Sequence, residues 1–253
     1  MNFLITGSNS ILGKELIHCL NQKHNIFTIS RKKKYNNNEL QLDLSKYISS
    51  LELKKKLVLL KNKKFKSLIH LSSDVIKVNN PDSLNILINN INISYNIIKI
   101  AKIVKVDQVI NLSSISVYQH INKMNIASRD FFYSLSKLNG EKILNQGLLN
   151  TNTNIINLRV ANILSPYYKT RGILNALYHQ LINTNELIVD SEPSRKIHCV
   201  TLNYLINKIL HYTSTNKSKT IDIIEKKVVL KEYIHYIVKK YGNKNTKVSF
   251  TKI

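Results

Sequence analysis

Short β-branched apolar runs alternate along the chain with longer stretches whose apolar residues recur every three or four positions. "NFLIT" (2–6), "NIFTIS" (25–30), "ELQLDL" (39–44), "SLIHLSS" (67–73), "DQVINLSS" (107–114) and "NIINLRVANIL" (154–164) have strand character. "ILGKELIHCLNQ" (11–22), 81–104 and 131–147 have helical spacing, and Pro81 opens the second of these as proline does at a helix start. Strands separated by helices need crossover connections, which build a parallel sheet. The pattern therefore predicts an α/β fold with a doubly wound parallel sheet. Beyond Pro166 it loosens: helices are expected at 172–183 and 230–242, and short strands near 187–189, 196–200 and 219–224. The division expected is a main domain over 1–165 and a small part over 166–253 whose last segments pack back on the core. "RKKKYNNN" (31–38) reads as a polar loop, and no internal repeat is evident.

Composition sharpens this picture. Apolar residues are 43% of the 253, enough to fill a core. No apolar run approaches the roughly 18 residues of a membrane span. The N-terminus lacks the basic, greasy and small-residue sequence of a secretory leader. Cys19 and Cys199 stand far apart in apolar surroundings, as reduced core residues of a cytoplasmic protein do. The histidines show no ligand spacing, so no metal is expected. The net charge of +23 attracts polyanions. Only five of the 38 basic residues are arginine, however: Arg31, Arg129, Arg159, Arg171 and Arg195. The rest is lysine in a chain rich in asparagine and isoleucine, and no aromatic-basic repeat accompanies it. Nucleic acid is therefore disfavoured as the main partner.

The chemistry begins at "TGSNSILG" (6–13), between the first strand and the first helix. A glycine-bearing turn there lets backbone N–H groups and a helix N-terminus face a pyrophosphate. Gly7 and Gly13 are two of only six glycines in the chain. The stretch resembles the T-G-x-x-G-x-x-G turn of the extended short-chain dehydrogenase/reductase superfamily, in its NAD-dependent epimerase/dehydratase branch. It departs at the middle glycine, where Ser10 brings a Cβ that would crowd the diphosphate and a hydroxyl that would donate to it. The resemblance continues in order: Asp43 in "QLDLS", "LIHLSS" (68–73), Asn90, Ser94 and Asn96 in "NINISYNIIKIAK", "VINLSSISVY" (109–118), "YSLSKLNGE" (133–141), "LRVANILSP" (158–166) and "SRKIHCV" (194–200). It covers nearly the whole chain.

That resemblance implies a Rossmann-type dinucleotide-binding domain over 1–165, a substrate-binding part over 166–253, and an enzyme acting on nucleotide sugars. It implies cofactor contacts from Gly7, Ser8, Ser10, Ile11, Leu12, Gly13, Asp43, Leu44, Leu71, Ser72, Ser73, Asn90, Tyr133 and Lys137. Substrate contacts would come from Ser73, Ser114, Asn162 and Arg195. Tyr133, Lys137 and Glu141 lie four residues apart, on one helix face. Free tyrosine has a pKa of about 10, and a nearby ammonium favours its phenolate. Ser114, Tyr133 and Lys137 are thus the expected catalytic groups. The hydroxyl of Ser114 would bind the reacting oxygen, Tyr133 would exchange its proton, and Lys137 would also hold a ribose. Glu141 is expected to be structural.

Departures select within the family. Its 4,6-dehydratases carry Asp–Glu directly after the catalytic Ser/Thr; this chain has Ile115 and Ser116, which argues against dehydration. The second strand ends "ISRKKK", without the acidic residue that favours NAD. Ser30, Arg31 and Lys32 would instead receive a 2′-phosphate. The leading expectation is an NADP(H)-dependent reductase of a 4-keto nucleotide sugar in surface-polysaccharide sugar biosynthesis. A nucleotide-sugar 4-epimerase with tightly bound NAD(H) is the alternative. A non-catalytic dinucleotide-binding or RNA-associated protein is a further one. Only 14 residues separate Tyr118 from Tyr133 and 28 separate Pro166 from Arg195, short spans for regions that shape the sugar pocket in relatives. Relatives dimerise through helices matching 81–104 and 131–147, so a homodimer is an expectation of the resemblance; no membrane partner is.

Overall fold

The predicted alternation is realised in a computed structural model that describes residues 1–31, 38–76, 83–121, 130–165, 167 and 172–251. The chain opens with β1 (Asn2–Thr6), α1 (Ile11–Asn21), β2 (Asn25–Ser30) and β3 (Glu39–Gln41). Next come α2 (Ser50–Lys56), β4 (Phe65–His70), α3 (Leu84–Val104) and β5 (Gln108–Ser114). A 3-10 turn (Ile115–Val117) leads to α4 (Tyr118–Ile121), α5 (Phe131–Leu148), β6 (Asn154–Val160) and β7 (Asn162–Leu164). The remainder is α6 (Ile173–Thr184), β8 (Glu186–Val189), β9 (Lys196–Thr201), α7 (Leu202–Tyr212), β10 (Lys219–Ile223), β11 (Lys226–Val229), α8 (Leu230–Tyr241) and β12 (Lys247–Phe250).

Two compact units result. The first comprises Met1–Arg159 with Ile206–Asp222, the second Val160–Leu205 with Ile223–Ile253. In the first, a seven-stranded sheet has the order β10-β6-β5-β4-β1-β2-β3. β1 pairs in parallel with β2 on one side (Phe3↔Ile26) and with β4 on the other (Leu4↔Leu68). The chain therefore winds outward from β1 in one direction, returns, and winds outward in the other. This reversal makes the doubly wound Rossmann-type fold and creates a switch point beyond the ends of β1 and β4. The strands that lie inside the sheet read as continuous apolar runs because both faces are covered. Leu4, Ile29, Phe65 and Leu68 are fully buried with Ile97 of α3 and Leu144 of α5. Phe27 meets Phe65 edge to face at 5.4 Å.

In the second unit, β9 pairs with β7 in parallel and with β11 antiparallel, and β8 pairs with β12. Leu177 and Leu181 of α6 and Ile234 and Ile237 of α8 share a core with Leu187 and Val189 of β8.

The structure corrects several expected elements. The strand expected at 39–44 ends at Gln41, because Asp43 turns the chain by accepting from the amide and hydroxyl of Ser45. The strand expected at 154–164 breaks after Val160, where Ala161 N donates to Ile223 O, and β7 joins a different sheet. Three helices went unpredicted, the four-residue α4 among them. α2 begins with a capping-box pattern, Ser49 Oγ accepting from Glu52 N at 3.2 Å. α7 buries Leu202, Leu205, Ile206 and Ile209, a spacing of three, four and seven that marks a helix. Most of the 31–38 loop with Lys32, the start of the 81–104 helix, Pro166 and much of the loop before Tyr133 lie outside the described residues.

Candidate active site

The turn between β1 and α1 shows why its glycines stand where they do. Gly7 has φ +74°, and a Cβ on it would come within 2.8 Å of the backbone at Leu71 and Ser72. A Cβ on Gly13 would come within 2.5 Å of Gly7 O. The turn, the end of β4 and the start of α1 are thus packed backbone on backbone. Leu71 N donates to Thr6 O at 3.2 Å, and Ser72 N to Thr6 Oγ1 at 3.4 Å. Ser10 adopts an ordinary extended backbone (φ −71°, ψ 160°) and serves as N-cap of α1, its hydroxyl accepting from Gly13 N at 3.0 Å. The helix uses a lone pair of that hydroxyl, and the hydroxyl proton remains available to a phosphate. The amides of Ile11 and Leu12 belong to the first turn, where no intrahelical acceptor exists. Ser8 and Leu12 are buried, and Ile11 is half-buried. A glycine turn and a helix N-terminus at a sheet switch point fit a dinucleotide diphosphate.

At the adenosine end, Ser30 closes β2 and Arg31 follows it, exposed. Burial works to raise the carboxyl of Asp43, but the Ser45 hydroxyl and amide, with Arg31 and Lys46 nearby, hold it below its ordinary value. Leu44 is core, and its carbonyl accepts from Asn96 Nδ2 at 3.0 Å. Asn92 Nδ2 donates to Ser45 O, and Lys99 Nζ to Ile48 O at 2.6 Å. Successive turns of α3 thereby fix the segment that carries Asp43.

Leu71, Ser72 and Ser73 continue beyond β4. Ser73 Oγ donates to Asp74 O at 2.9 Å, and Asp74 N donates to Asn90 Oδ1 at 2.7 Å. Asn90 Nδ2 donates to Asp74 O and to Ser136 Oγ, at 3.0 and 2.9 Å. Asn90 is 5% exposed, and these bonds make it a tie between the end of β4 and α5.

The expected catalytic groups lie on β5 and α5. Ser114 ends β5 and caps the following 3-10 turn, its Oγ accepting from Ser116 N at 3.2 Å and from Ser116 Oγ at 2.9 Å. Tyr133 lies in the first turn of α5, half-buried. Lys137 Nζ sits 5.7 Å from the Tyr133 ring centroid and donates to Leu112 O at 3.0 Å. The ammonium is thus held beside the phenol, two residues before Ser114. Ile115 and Ser116 bring no carboxylate to this turn.

Two features escaped the sequence. His70 is 5% exposed at the end of β4, with Nδ1 2.8 Å from Thr6 Oγ1. Burial, with the charge of Lys137 added, pushes its imidazole down to about 3, so it is neutral under Lys137. A cavity of about 10 Å³ lies there, lined by His70, Ser72, Asn111, Ser136 and Lys137. The second is a network joining Ser113, Glu141, Arg159 and Tyr118. The remaining candidates are in the second unit. Asn162 Nδ2 donates to His198 O at 3.1 Å, and Arg195 is exposed just before β9, with Nη1 donating to Ser191 Oγ at 3.2 Å.

Residues 3–196 match the sequence model of the NAD dependent epimerase/dehydratase family. The chain belongs to that family. No curated protein matches it. Among solved structures it resembles a UDP-glucose 4-epimerase from the hyperthermophilic eubacterium Thermotoga maritima, solved with UDP-glucose. The TM-score is 0.79 and the identity 13%, over 100% of this chain and 86% of that one. It also resembles a UDP-N-acetylglucosamine 4-epimerase from Methanobrevibacter ruminantium in complex with UDP-N-acetylmuramic acid (TM-score 0.78, 16% identity, 99% and 85% covered). A UDP-glucuronic acid 4-epimerase from Bacillus cereus in complex with NAD gives 0.77 and 19% over 99% and 86%. At these identities the likeness is one of fold. Among the described residues no helix is long and apolar enough to cross a membrane.

Proposed function

We propose that this family member is a nucleotide-sugar 4-epimerase working with NAD, the alternative reading of the sequence rather than its leading one. The observation that carries this is at the adenosine end. Arg31, the residue on which a 2′-phosphate preference rested, lies in the field of the Asp43 carboxylate. A 2′-phosphate drawn to Arg31 would share that field and be repelled by Asp43, whereas uncharged ribose hydroxyls would not. Ile115 and Ser116 leave no second acid–base pair for eliminating water. The family's description and the NAD bound in a structural neighbour support the same cofactor.

Bound NAD would supply a hydride acceptor that can return what it takes. The chain's own residues do the rest. Tyr133, as phenolate, takes the proton of the sugar's C4 hydroxyl and later gives it back. Ser114 Oγ donates to the same oxygen and steadies its charge. Lys137, anchored on Leu112 O, keeps the phenolate favoured. In this reading residues 1–165 carry the dinucleotide, 166–253 form the sugar-binding part, and Asn162 at the end of the former and Arg195 in the latter meet the nucleotide-linked sugar. Arg31 and the lack of a carboxylate ending β2 favour a second reading, an NADPH-dependent reductase of a 4-keto nucleotide sugar.

The experiment is direct. Purified protein, with no cofactor beyond NAD, is given a panel of UDP- and dTDP-hexoses, and C4 inversion is followed by NMR. Inversion without net NAD reduction supports the epimerase. NADPH oxidation on a 4-keto-6-deoxy sugar, without inversion of any hexose, replaces it with the reductase.

A further inference from the structure

Ser114 and Tyr133 stand on different elements, so their separation depends on what ties β5 to α5. Two side chains of α5 make the tie. Lys137 Nζ donates to Leu112 O at 3.0 Å, and one turn further Glu141 Oε1 accepts from Ser113 Oγ at 2.5 Å. The two residues before Ser114 are thereby held from the helix that carries Tyr133. Glu141 is 3% exposed, and such a carboxylate is retained only if paired. Arg159 of β6 pairs with it as a fork, Nε to Oε1 at 3.0 Å and Nη2 to Oε2 at 2.8 Å. These bonds hold the guanidinium more firmly charged than usual, against the effect of burial. The Tyr118 ring lies 4.8 Å from the Arg159 guanidinium carbon, and Tyr118 Oη donates to Asp222 of β10 at 2.9 Å. All these residues belong to the first unit.

We propose, resting on the epimerase reading for its consequence in turnover, that Glu141 and Arg159 are positioning residues for proton transfer at Tyr133. The pair fixes Ser113, and with it Ser114, against α5. It also cancels its own charge, so that Lys137 is the cation that sets the phenol. Tyr133 and Glu141 are two helix turns apart, about 12 Å. A unit charge at that distance, at an effective dielectric constant of about 20, moves a titration by about one pH unit. Losing the Glu141 charge leaves Arg159 unopposed and favours the phenolate. Losing Arg159 leaves the Glu141 carboxylate unopposed and disfavours it. The other charged or titratable groups around this site, among the described residues, include Lys137 and Lys142 on the same helix, Asp130 at its N-cap, Tyr118 and His120 of α4, His70 of β4 and Asp222 beyond Tyr118. Substitution of the pair removes none of these groups, although Tyr118 loses the guanidinium it packs on.

The test reads the phenol itself, in ¹³C-tyrosine-labelled protein with the Tyr133 resonance assigned from Tyr133→Phe. Relative to the unsubstituted protein, Glu141→Gln is expected to lower the titration midpoint by about one pH unit and Arg159→Met to raise it by about as much. The double variant is expected to return it to within about a third of a unit. Shifts of the same sign in both single variants, or no shift in either, overturn the proposal. An unpaired buried charge can unfold a single variant, so two further variants carry the test. The double variant, without either charge, and Ser113→Ala, with both kept, are each expected to leave the titration in place while kcat falls about tenfold, the loss a slackened catalytic geometry gives. Unsubstituted kcat in both overturns the positioning role. The titration needs no turnover, so a protein that inverts no sugar refutes the epimerase reading while the titration still decides the charge balance.

Discussion

Ser114, Tyr133 and Lys137 stand on a strand and a helix stitched together by side chains, whereas Asn162 and Arg195 belong to the second unit, on a short strand and at the exposed approach to β9. In the first region the polar groups are committed: Lys137 to Leu112 O, Glu141 to Ser113 and Arg159, Asn90 to Asp74 and Ser136. In the second, the carbonyl of Arg195 accepts from Leu230 N at 2.9 Å and its Nη1 donates to Ser191 Oγ at 3.2 Å, but the residue as a whole is exposed. Under the proposed function the contrast would meet two different demands. Proton transfer requires groups held within a fraction of an ångström of their working geometry. Recognition of a charged ligand needs only an exposed guanidinium fork that the ligand can reach.

The contrast can be broken first at Tyr133. Tyr133→Phe is expected to lower 4-epimerase kcat by about 10³-fold, with NAD affinity in isothermal titration unchanged within about twofold. Retained turnover would remove the fixed region from the chemistry. His70 tests how rigid that region's floor is. The unfolded chain protonates a histidine near 6.5, whereas folded His70 does so only near 3. Above 6.5 neither state binds the proton; as pH falls towards 3 only the unfolded state does, so stability is lost by about 1.4 kcal/mol per pH unit. His70→Asn is expected to flatten urea-unfolding stability between pH 4.5 and 6.5. An unchanged slope would mean that the imidazole is not shut in.

At the exposed side, Arg195→Ala is expected to raise KM for the nucleotide sugar about tenfold and to leave kcat within about threefold. A fall in kcat alone would place Arg195 among the fixed groups and blur the distinction. The smallest effect is expected at Arg31. Arg31→Ala should weaken NADP binding about fivefold and NAD binding less than twofold, read by fluorescence titration of the reduced forms. NADP bound more tightly than NAD by the unsubstituted protein would restore the reductase reading.

Much of the first region could be read from residues close together in the chain. Gly7 and Gly13 signal a turn because an L side chain would strike neighbouring backbone, and Tyr133 and Lys137 share a face because a helix repeats at 3.6 residues. α2 and α7 were legible too, through Ser49–Glu52 and through the spacing of Leu202, Leu205, Ile206 and Ile209, signals that the stronger strand runs obscured.

The amino-acid order alone determined the alternation of strands and helices, the glycine turn after β1 and the tyrosine–lysine stripe, because each depends on neighbours within a turn or two. Tertiary structure alone decided that Arg159 meets Glu141, that Arg31 shares the field of Asp43, that His70 is sealed neutral beneath Lys137, and that the 154–164 run splits between two sheets. Ion pairing and desolvation act between groups brought close by the sheet, and the distance along the chain that separates such groups carries no record of it.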